Sequence, residues 1–240
     1  MPKNTLERFT SRVQDYIKYR PKYPGKLLSF IEEDLQVKRG SKIADFGSGT
    51  GIFSKQLLDQ GYEVFGIEPN LEMRSAAEIH LKSYKFFHSI DAPAEQTSLS
   101  DQCVDVVTAA QSFHWFNSSK FKLECGRILK KNAPVVLIWN HREENTTPFL
   151  KEYEALLSKF GTDYNEVNHR NTEKSGAIDD FFSGGFKLFT CPNEQLFDFE
   201  GLKGRLLSSS YVPQKGHRVR GRRCHRQEAP RAFRRAVGSP

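Results

Sequence analysis

Two carboxylates and a run of glycines carry the first chemistry in the chain. Asp45 sits in the short apolar stretch Ile43 to Phe46, which reads as a buried strand. Gly47, Gly49 and Gly51 follow at alternate positions, with Ser48 and Thr50 between them. Ile52 to Leu58 then reads as a helix closed by Gly61. Glycine permits positive φ and lets the backbone approach a ligand that a Cβ would exclude. The N-terminus of the following helix offers unpaired N–H groups to that ligand. Tyr62 to Ile67 reads as the next strand, with Glu68 and Pro69 at its end. A carboxylate about 20 residues beyond a glycine loop suits the hydroxyls of a ribose. An adenosine-like ligand is therefore expected.

Other candidate residues stand at the ends of later strands. Asp105 to Ala110 reads as strand 4 and runs into Gln111-Ser112-Phe113-His114-Trp115-Phe116. The carboxyl end of a strand faces the ligand crevice in an open α/β sheet. His114 is either a satisfied polar neighbour of packed aromatics or a substrate partner and general base. Pro134 to Trp139 is a continuous apolar run that fits a parallel strand covered on both faces, and it ends at Asn140-His141-Arg142. Arg142 is either a carboxylate anchor, through its planar fork, or an ordinary ion-pair residue. His169 and Arg170 lie in a polar stretch and read as part of a solvated loop, with substrate contact as the alternative.

The elements that must hold these residues form an alternating β/α pattern, which predicts a doubly wound α/β domain with a mostly parallel sheet. Phe9, Val13, Tyr16 and Ile17 share one helical face before Arg20-Pro21-Lys22-Tyr23-Pro24, and Leu27, Leu28, Ile31 and Leu35 share the next. Asn70 can cap a helix through Met73 and Ala76, and Asn117 or Ser118 one through Ile128. Tyr84 to His88 reads as strand 3. Pro148 to Phe160 reads as a helix, Ile178 to Phe182 as a short one, and Leu202 to Leu207 as another. Phe186 to Phe189 and Leu196 to Phe199 read as one or two strands.

The glycine spacing separates two ligand classes. A dinucleotide fingerprint needs glycine where Ile52 stands, which disfavours a nicotinamide-dependent oxidoreductase. The Asp45, glycine-loop and Glu68 pattern instead resembles motif I of the class I S-adenosylmethionine-dependent methyltransferases. That resemblance implies S-adenosyl-L-methionine as cofactor. Asp45, Gly47, Ser48, Gly49 and Gly51 would lie at its amino-acid portion, and Glu68 with Pro69 at its ribose. Ala94-Glu95 matches the pair in the adenine-contacting loop; Pro93 stands at the contact position before it and offers only its carbonyl, with Asp91 or Ala94 as the alternatives, and Gln111 completes the expected cofactor set. Asp101 and Asp105 match the D-x-x-x-D-V-V segment of the family.

Tyr16 to Pro24 resembles the N-terminal lid of small-molecule methyltransferases akin to trans-aconitate methyltransferase, and Ala110 to Phe116 resembles a string of the same group. Tyr16, Arg20, Trp115 and Arg142 are then the expected substrate residues and His114 the catalytic one. The tyrosines have a plainer reading as cover over apolar surface between helices. The expected acceptor is a small molecule, a carboxylate among the candidates. The alternatives are a quinone or lipid acceptor, or a cofactor-binding protein without activity whose C-terminal sheet is incomplete. Nucleic-acid methylation is disfavoured because no N-P-P-Y-like motif is present.

The formal net charge of +7 sits in one place. From His217 onward there are eight arginines, no lysine and one glutamate, so the rest of the chain is balanced. Residues 1–216 are expected to form the domain, with 1–35 as a helical lid and 141–213 as a substrate cap inserted after strand 5. Residues 217–240 are expected to be out-of-frame or disordered sequence, with a basic tail for nucleic acid or anionic lipid as the alternative. No run of about 18 apolar residues predicts a membrane span, and the first residues lack an apolar signal region. Cys103, Cys125, Cys191 and Cys224 show no metal-binding spacing. A cytoplasmic protein with reduced thiols and no metal is expected.

Overall fold

The computed structural model describes residues 13–164 and 175–212, together with the backbone of 218–219 and 222–223. Phe9, His169, Arg170 and Cys224, and most of the arginine-rich segment, lie outside the described residues.

The chain begins with helix α1 (Val13–Tyr19) and helix α2 (Gly25–Ser29), which runs into a wider π-turn over Phe30–Asp34. Five parallel strands follow: β1 (Lys42–Phe46), β2 (Glu63–Ile67), β3 (Phe87–Ile90), β4 (Val106–Ala110) and β5 (Val135–Ile138). They lie in the order β3-β2-β1-β4-β5. Helices α3 (Ile52–Asp59), α4 (Leu71–His80) and α5 (Ser118–Ile128) make the crossovers. Helices α6 (Pro148–Phe160), α7 (Ala177–Phe181) and α8 (Phe199–Leu207) follow the sheet. A two-residue antiparallel pair, Arg218–Val219 with Arg222–Arg223, stands apart from the main sheet.

Strand alternation builds a core on each face of the sheet. Ile43, Val64 and Val106 point to one side, against Leu57, Tyr62 and Ile31. Ala44, Phe46, Val107 and Ala109 point to the other, against Phe113, Phe121 and Ile128. This is the doubly wound arrangement expected from the sequence. The caps also agree: Asn70 accepts the Met73 N–H at 2.8 Å and Asn117 accepts the Lys120 N–H at 3.1 Å. Thr147 caps α6, a role the sequence reading did not assign.

Two expectations need correction. Strand 3 begins at Phe87, not Tyr84, because pairing in register with Val64 to Ile67 selects Phe87 to Ile90; Tyr84 closes the turn after α4. Residues 186–198 form no strand. Phe189 stacks on Phe30 with ring centroids 4.4 Å apart, while Leu188 and Leu196 are exposed. Their apolar alternation finds no partner strand, and a strand needs one to satisfy its backbone. Strand β5 packs against both cores as expected, through Val136 and Ile138 on one face and Val135 and Leu137 on the other. It pairs only with β4 among the described residues, and Val135, Val136 and Leu137 are half-buried.

Candidate functional site

A cleft opens at the carboxyl ends of β1 and β4, the switch point of the strand order. Its floor is the glycine loop. Gly47 and Gly51 have φ of +63° and +79°. A Cβ at Gly47 would meet Ser112 Cβ at 2.5 Å, and one at Gly51 would meet Leu81 Cδ1 at 2.7 Å. At these two positions glycine therefore makes room for the protein's own packing, not directly for a ligand. The loop is fixed by Gly47 N–H donating to Ile67 O at 2.8 Å and Gly51 N–H donating to Ser48 O at 2.9 Å.

Asp45 lies beneath the loop. It accepts hydrogen bonds from Ser54 Oγ at 2.6 Å and Thr108 Oγ1 at 2.9 Å, tying β1 to α3 and β4. Burial pushes its carboxyl up to about 6, although both hydroxyls act the other way. Glu68 is also buried. Its oxygens accept the Gly49 N–H at 3.0 Å and the Asn70 N–H at 2.9 Å. Burial raises its pKa, partly offset by those two donors. Each oxygen keeps a lone pair for another donor, because a carboxylate accepts about four bonds.

Arg74, which the sequence reading passed over, braces this corner. It donates to Glu68 O and to Asp91 Oδ2, both at 2.8 Å. Asp91 is thus engaged by Arg74. Half-buried Pro69 links Glu68 to the capping Asn70. Ala94 is buried in the core on one sheet face.

The opposite wall comes from strand ends and helices. Gln111 takes a left-handed φ of +61° at the end of β4, and its N–H donates to Ile138 O at 2.8 Å. Asn140 follows β5, and its Oδ1 accepts from Asn193 Nδ2 at 2.8 Å. Asn193 also donates to Lys22 O at 2.9 Å, so one side chain ties the Pro21–Pro24 turn to the β5 end. Among the described residues, Thr50 Oγ1, Gln111 Nε2 and Asn140 Nδ2 are buried without a hydrogen-bond partner. All three residues line the cleft. Buried polar atoms are rarely left unpaired, so these mark where a polar ligand belongs.

Tyr16 and Arg20 also line the cleft, as expected for the N-terminal segment, with Arg20 lying 4.7 Å over the Tyr16 ring. Tyr23 divides from them in role. Its backbone is clamped by Gln56 through bonds of 2.9 and 2.7 Å, and its ring packs edge-on against Phe53. Arg205, on α8, is a cleft residue that sequence reasoning missed.

His114 and Trp115 sit on a 3-10 turn, Phe113–Trp115, with their rings 4.6 Å apart, and are not among the cleft walls. Arg142 is not among the residues that line the cleft. It pairs with Glu154, contacts Tyr164 OH at 3.0 Å and lies over the Tyr153 ring at 4.9 Å. The ion-pair reading of Arg142 therefore describes its contacts. Cys103, Cys125 and Cys191 are free, and burial pushes the Cys125 thiol up.

A family model described as a methyltransferase domain matches residues 44–137. Residues 44–137 thus resemble a methyltransferase domain. An uncharacterised methyltransferase-like protein of Schizosaccharomyces pombe is 30% identical over 162 residues, which is 66% of this chain and 60% of that protein. An uncharacterised methyltransferase of Mycobacterium tuberculosis is 29% identical over 153 residues, 64% of this chain and 60% of that protein. The chain thus spans about 60% of the length of these relatives. Among solved structures, a candidate type II methyltransferase from Anaeromyxobacter dehalogenans is 25% identical, with a TM-score of 0.63 and coverage of 92% of this chain and 91% of that one. A candidate S-adenosylmethionine-dependent methyltransferase from Methanococcus maripaludis shares the fold at 17% identity and a TM-score of 0.59, over 77% of this chain and 86% of that one. The resemblance read from the glycine loop and Glu68 is confirmed, and so is the methyltransferase form of the doubly wound fold. No helix among the described residues is long and apolar enough to cross a membrane.

Proposed function

We propose that this methyltransferase domain binds S-adenosyl-L-methionine and transfers its methyl group to a small-molecule acid. One observation carries the cofactor reading: Glu68 is held by the Gly49 and Asn70 N–H groups beside a cleft whose walls keep unpaired polar atoms. A ribose diol supplies donors to the open lone pairs of Glu68. Thr50, Gln111 and Asn140 offer the polar atoms that a substrate-bearing cleft would use. The residues therefore fit the cofactor.

S-adenosylmethionine supplies a methyl group already activated on sulfonium, so the protein's task is alignment of donor and acceptor. Gln111 Nε2 and Asn140 Nδ2 are N–H donors. A carboxylate acceptor satisfies both with its lone pairs and needs no general base. Asn193 Nδ2 fixes the Asn140 amide by donating to its Oδ1, which leaves Asn140 Nδ2 unpaired. Tyr16 lines the same space. Trp115, Arg142 and His114 act on the acceptor only from outside these walls, with His114 serving acceptors that must first lose a proton.

The test has two stages. Calorimetric titration with S-adenosylhomocysteine should show saturable binding; a folded protein that fails to bind refutes the cofactor reading. A methyl-transfer screen pairing small carboxylic acids with phenols and quinols should then give turnover with acids. Turnover confined to phenols or quinols refutes the acceptor reading.

A further inference from the structure

Arg74 is the charged side chain of the Glu68 corner that the proposed chemistry leaves unused. It lies near the start of α4, where its backbone N–H donates to Asn70 O at 2.9 Å. Its side chain is 11% exposed. Nη1 donates to Glu68 O and Nη2 to Asp91 Oδ2, both at 2.8 Å. A planar guanidinium presents such donors in a fixed fork, which an ammonium on a flexible stem does not. Both acceptors stand at strand ends. Strands β2 and β3 pair in register up to Ile67 opposite Ile90, and the Glu68 N–H then donates to Ile90 O at 3.1 Å. Past that rung the side chain of Arg74 takes over, joining Glu68 to Asp91.

Glu68 is thereby held at three points. The Gly49 and Asn70 N–H groups bind its two carboxylate oxygens at 3.0 and 2.9 Å, and Arg74 binds its carbonyl. Asn70 in turn caps α4 by accepting the Met73 N–H. The direction of the carboxylate depends on where the peptide after Glu68 lies, and Arg74 fixes that peptide against the end of β3. The charge acts in the same sense. Burial raises the Glu68 pKa, and after the two backbone donors the positive Arg74 is the next influence that lowers it. On the cofactor reading above, ribose hydroxyls donate to the open lone pairs of this carboxylate. Hydrogen bonds weaken steeply when misdirected, and a binding group works only when held within about 0.5 Å of its productive place.

We propose that Arg74 is a positioning residue for the nucleoside: by bridging Glu68 and Asp91 past the last rung between β2 and β3, it aims the Glu68 carboxylate at the ribose hydroxyls. It acts through Glu68 and not on the reacting atoms. Asp91 has the matching part, as the anion that holds the guanidinium in place. The inference rests on the cofactor reading above and adds to it a requirement that lies outside the glycine loop.

Calorimetry with S-adenosylhomocysteine and its 2′,3′-dideoxy analogue decides the matter, because the two differ only in the ribose hydroxyls. The unaltered chain should prefer S-adenosylhomocysteine about 10- to 100-fold, the worth of hydrogen bonds to a charged acceptor. Arg74→Leu should cut that preference by about fivefold or more while the dideoxy analogue binds as before, which also shows that the variant is folded. Arg74→Lys should recover only part of the preference, since an ammonium does not span both acceptors as the fork does. Asp91→Asn, which spares the guanidinium, should lower the preference less than Arg74→Leu. An Arg74→Leu protein that keeps the full preference overturns the proposal. So does equal weakening of both ligands, which marks a brace of the fold and not a positioning residue. Where Arg74→Leu does not fold, Asp91→Asn decides, and an unchanged preference there overturns the proposal. If the unaltered, folded chain binds neither ligand, the cofactor reading fails and this inference falls with it. If it binds both equally, Glu68 is no ribose acid, and the inference is overturned while the cofactor reading stands.

Discussion

Replacing Asp45 by asparagine should stabilise the protein at neutral pH. The carboxyl is 1% exposed, sealed between β1, β4 and α3. Its two hydroxyl donors do not compensate for lost hydration, and the pKa rises from 3.8 to about 6. The folded-state value lies above the unfolded one, so the native state binds the extra proton between them. Stability is then fully present below the unfolded pKa and declines as pH rises through the folded value. At about 1.4 kcal/mol per unit, a rise of about two units costs about 3 kcal/mol once the group is ionised. Asparagine carries no charge to desolvate, and Ser54 and Thr108 can accept as well as donate. Urea unfolding of both proteins at about pH 5 and about pH 7.5 isolates the effect, since every other titrating group is shared. The variant should gain on the parent by about 1.4 kcal/mol between those two conditions. A stability difference that stays constant with pH refutes the reasoning, because it would mean the carboxyl titrates alike in both states.

Three further outcomes follow from the site. Glu68→Ala should weaken S-adenosylhomocysteine binding about 10- to 100-fold by removing the ribose acceptor and freeing the Gly49 N–H; an unchanged calorimetric isotherm counts against the placement. Gly204→Val should cost about 1–3 kcal/mol in chemical denaturation through overpacking against Tyr19, and Tyr19→Ala in the same chain should recover much of it; no recovery would deny the close approach of α1 and α8. His114→Ala should leave S-adenosylhomocysteine affinity intact and slow only acceptors that must lose a proton; equal loss with a carboxylic acid in the same assay would contradict the division of labour.

What could be read from the sequence was what short spacing determines. The strand, glycine turn and helix from Ile43 to Leu58, the acid at Glu68, and the caps at Asn70 and Asn117 each depend on neighbours within a few residues. What could not be read depends on contacts between distant segments. Strand 3 slid to Phe87–Ile90 because its register belongs to β2. Residues 186–198 alternate like a strand but have no edge to join. Arg205 and Arg20 line one cleft only because α8 returns to α1. One local sign of that contact was present: Gly204 stands inside an otherwise helical run, and such a glycine costs about 1 kcal/mol unless packing demands it.

The same division separates the two halves of the cleft. The wall built from Asp45, the glycine loop and Gln111 lies inside the segment that matches the methyltransferase family, residues 44–137. Tyr16, Arg20, Asn140 and Arg205 complete the cleft from outside it. Asn193 joins two of those outer pieces by bonding both Lys22 O and Asn140 Oδ1. The outer wall therefore acts as one assembly, and its parts are set by long-range packing rather than by the shared loop. Differences in acceptor among proteins that share the 44–137 segment should consequently trace to this outer wall. On the proposed function, exchanging Asn140 or Asn193 should change which acceptor is methylated before it changes whether the cofactor binds, and an acceptor profile in a methyl-transfer screen reads that directly. A variant at Asn193 that loses S-adenosylhomocysteine binding while keeping its acceptor ranking would show that the two walls are not separable in this way.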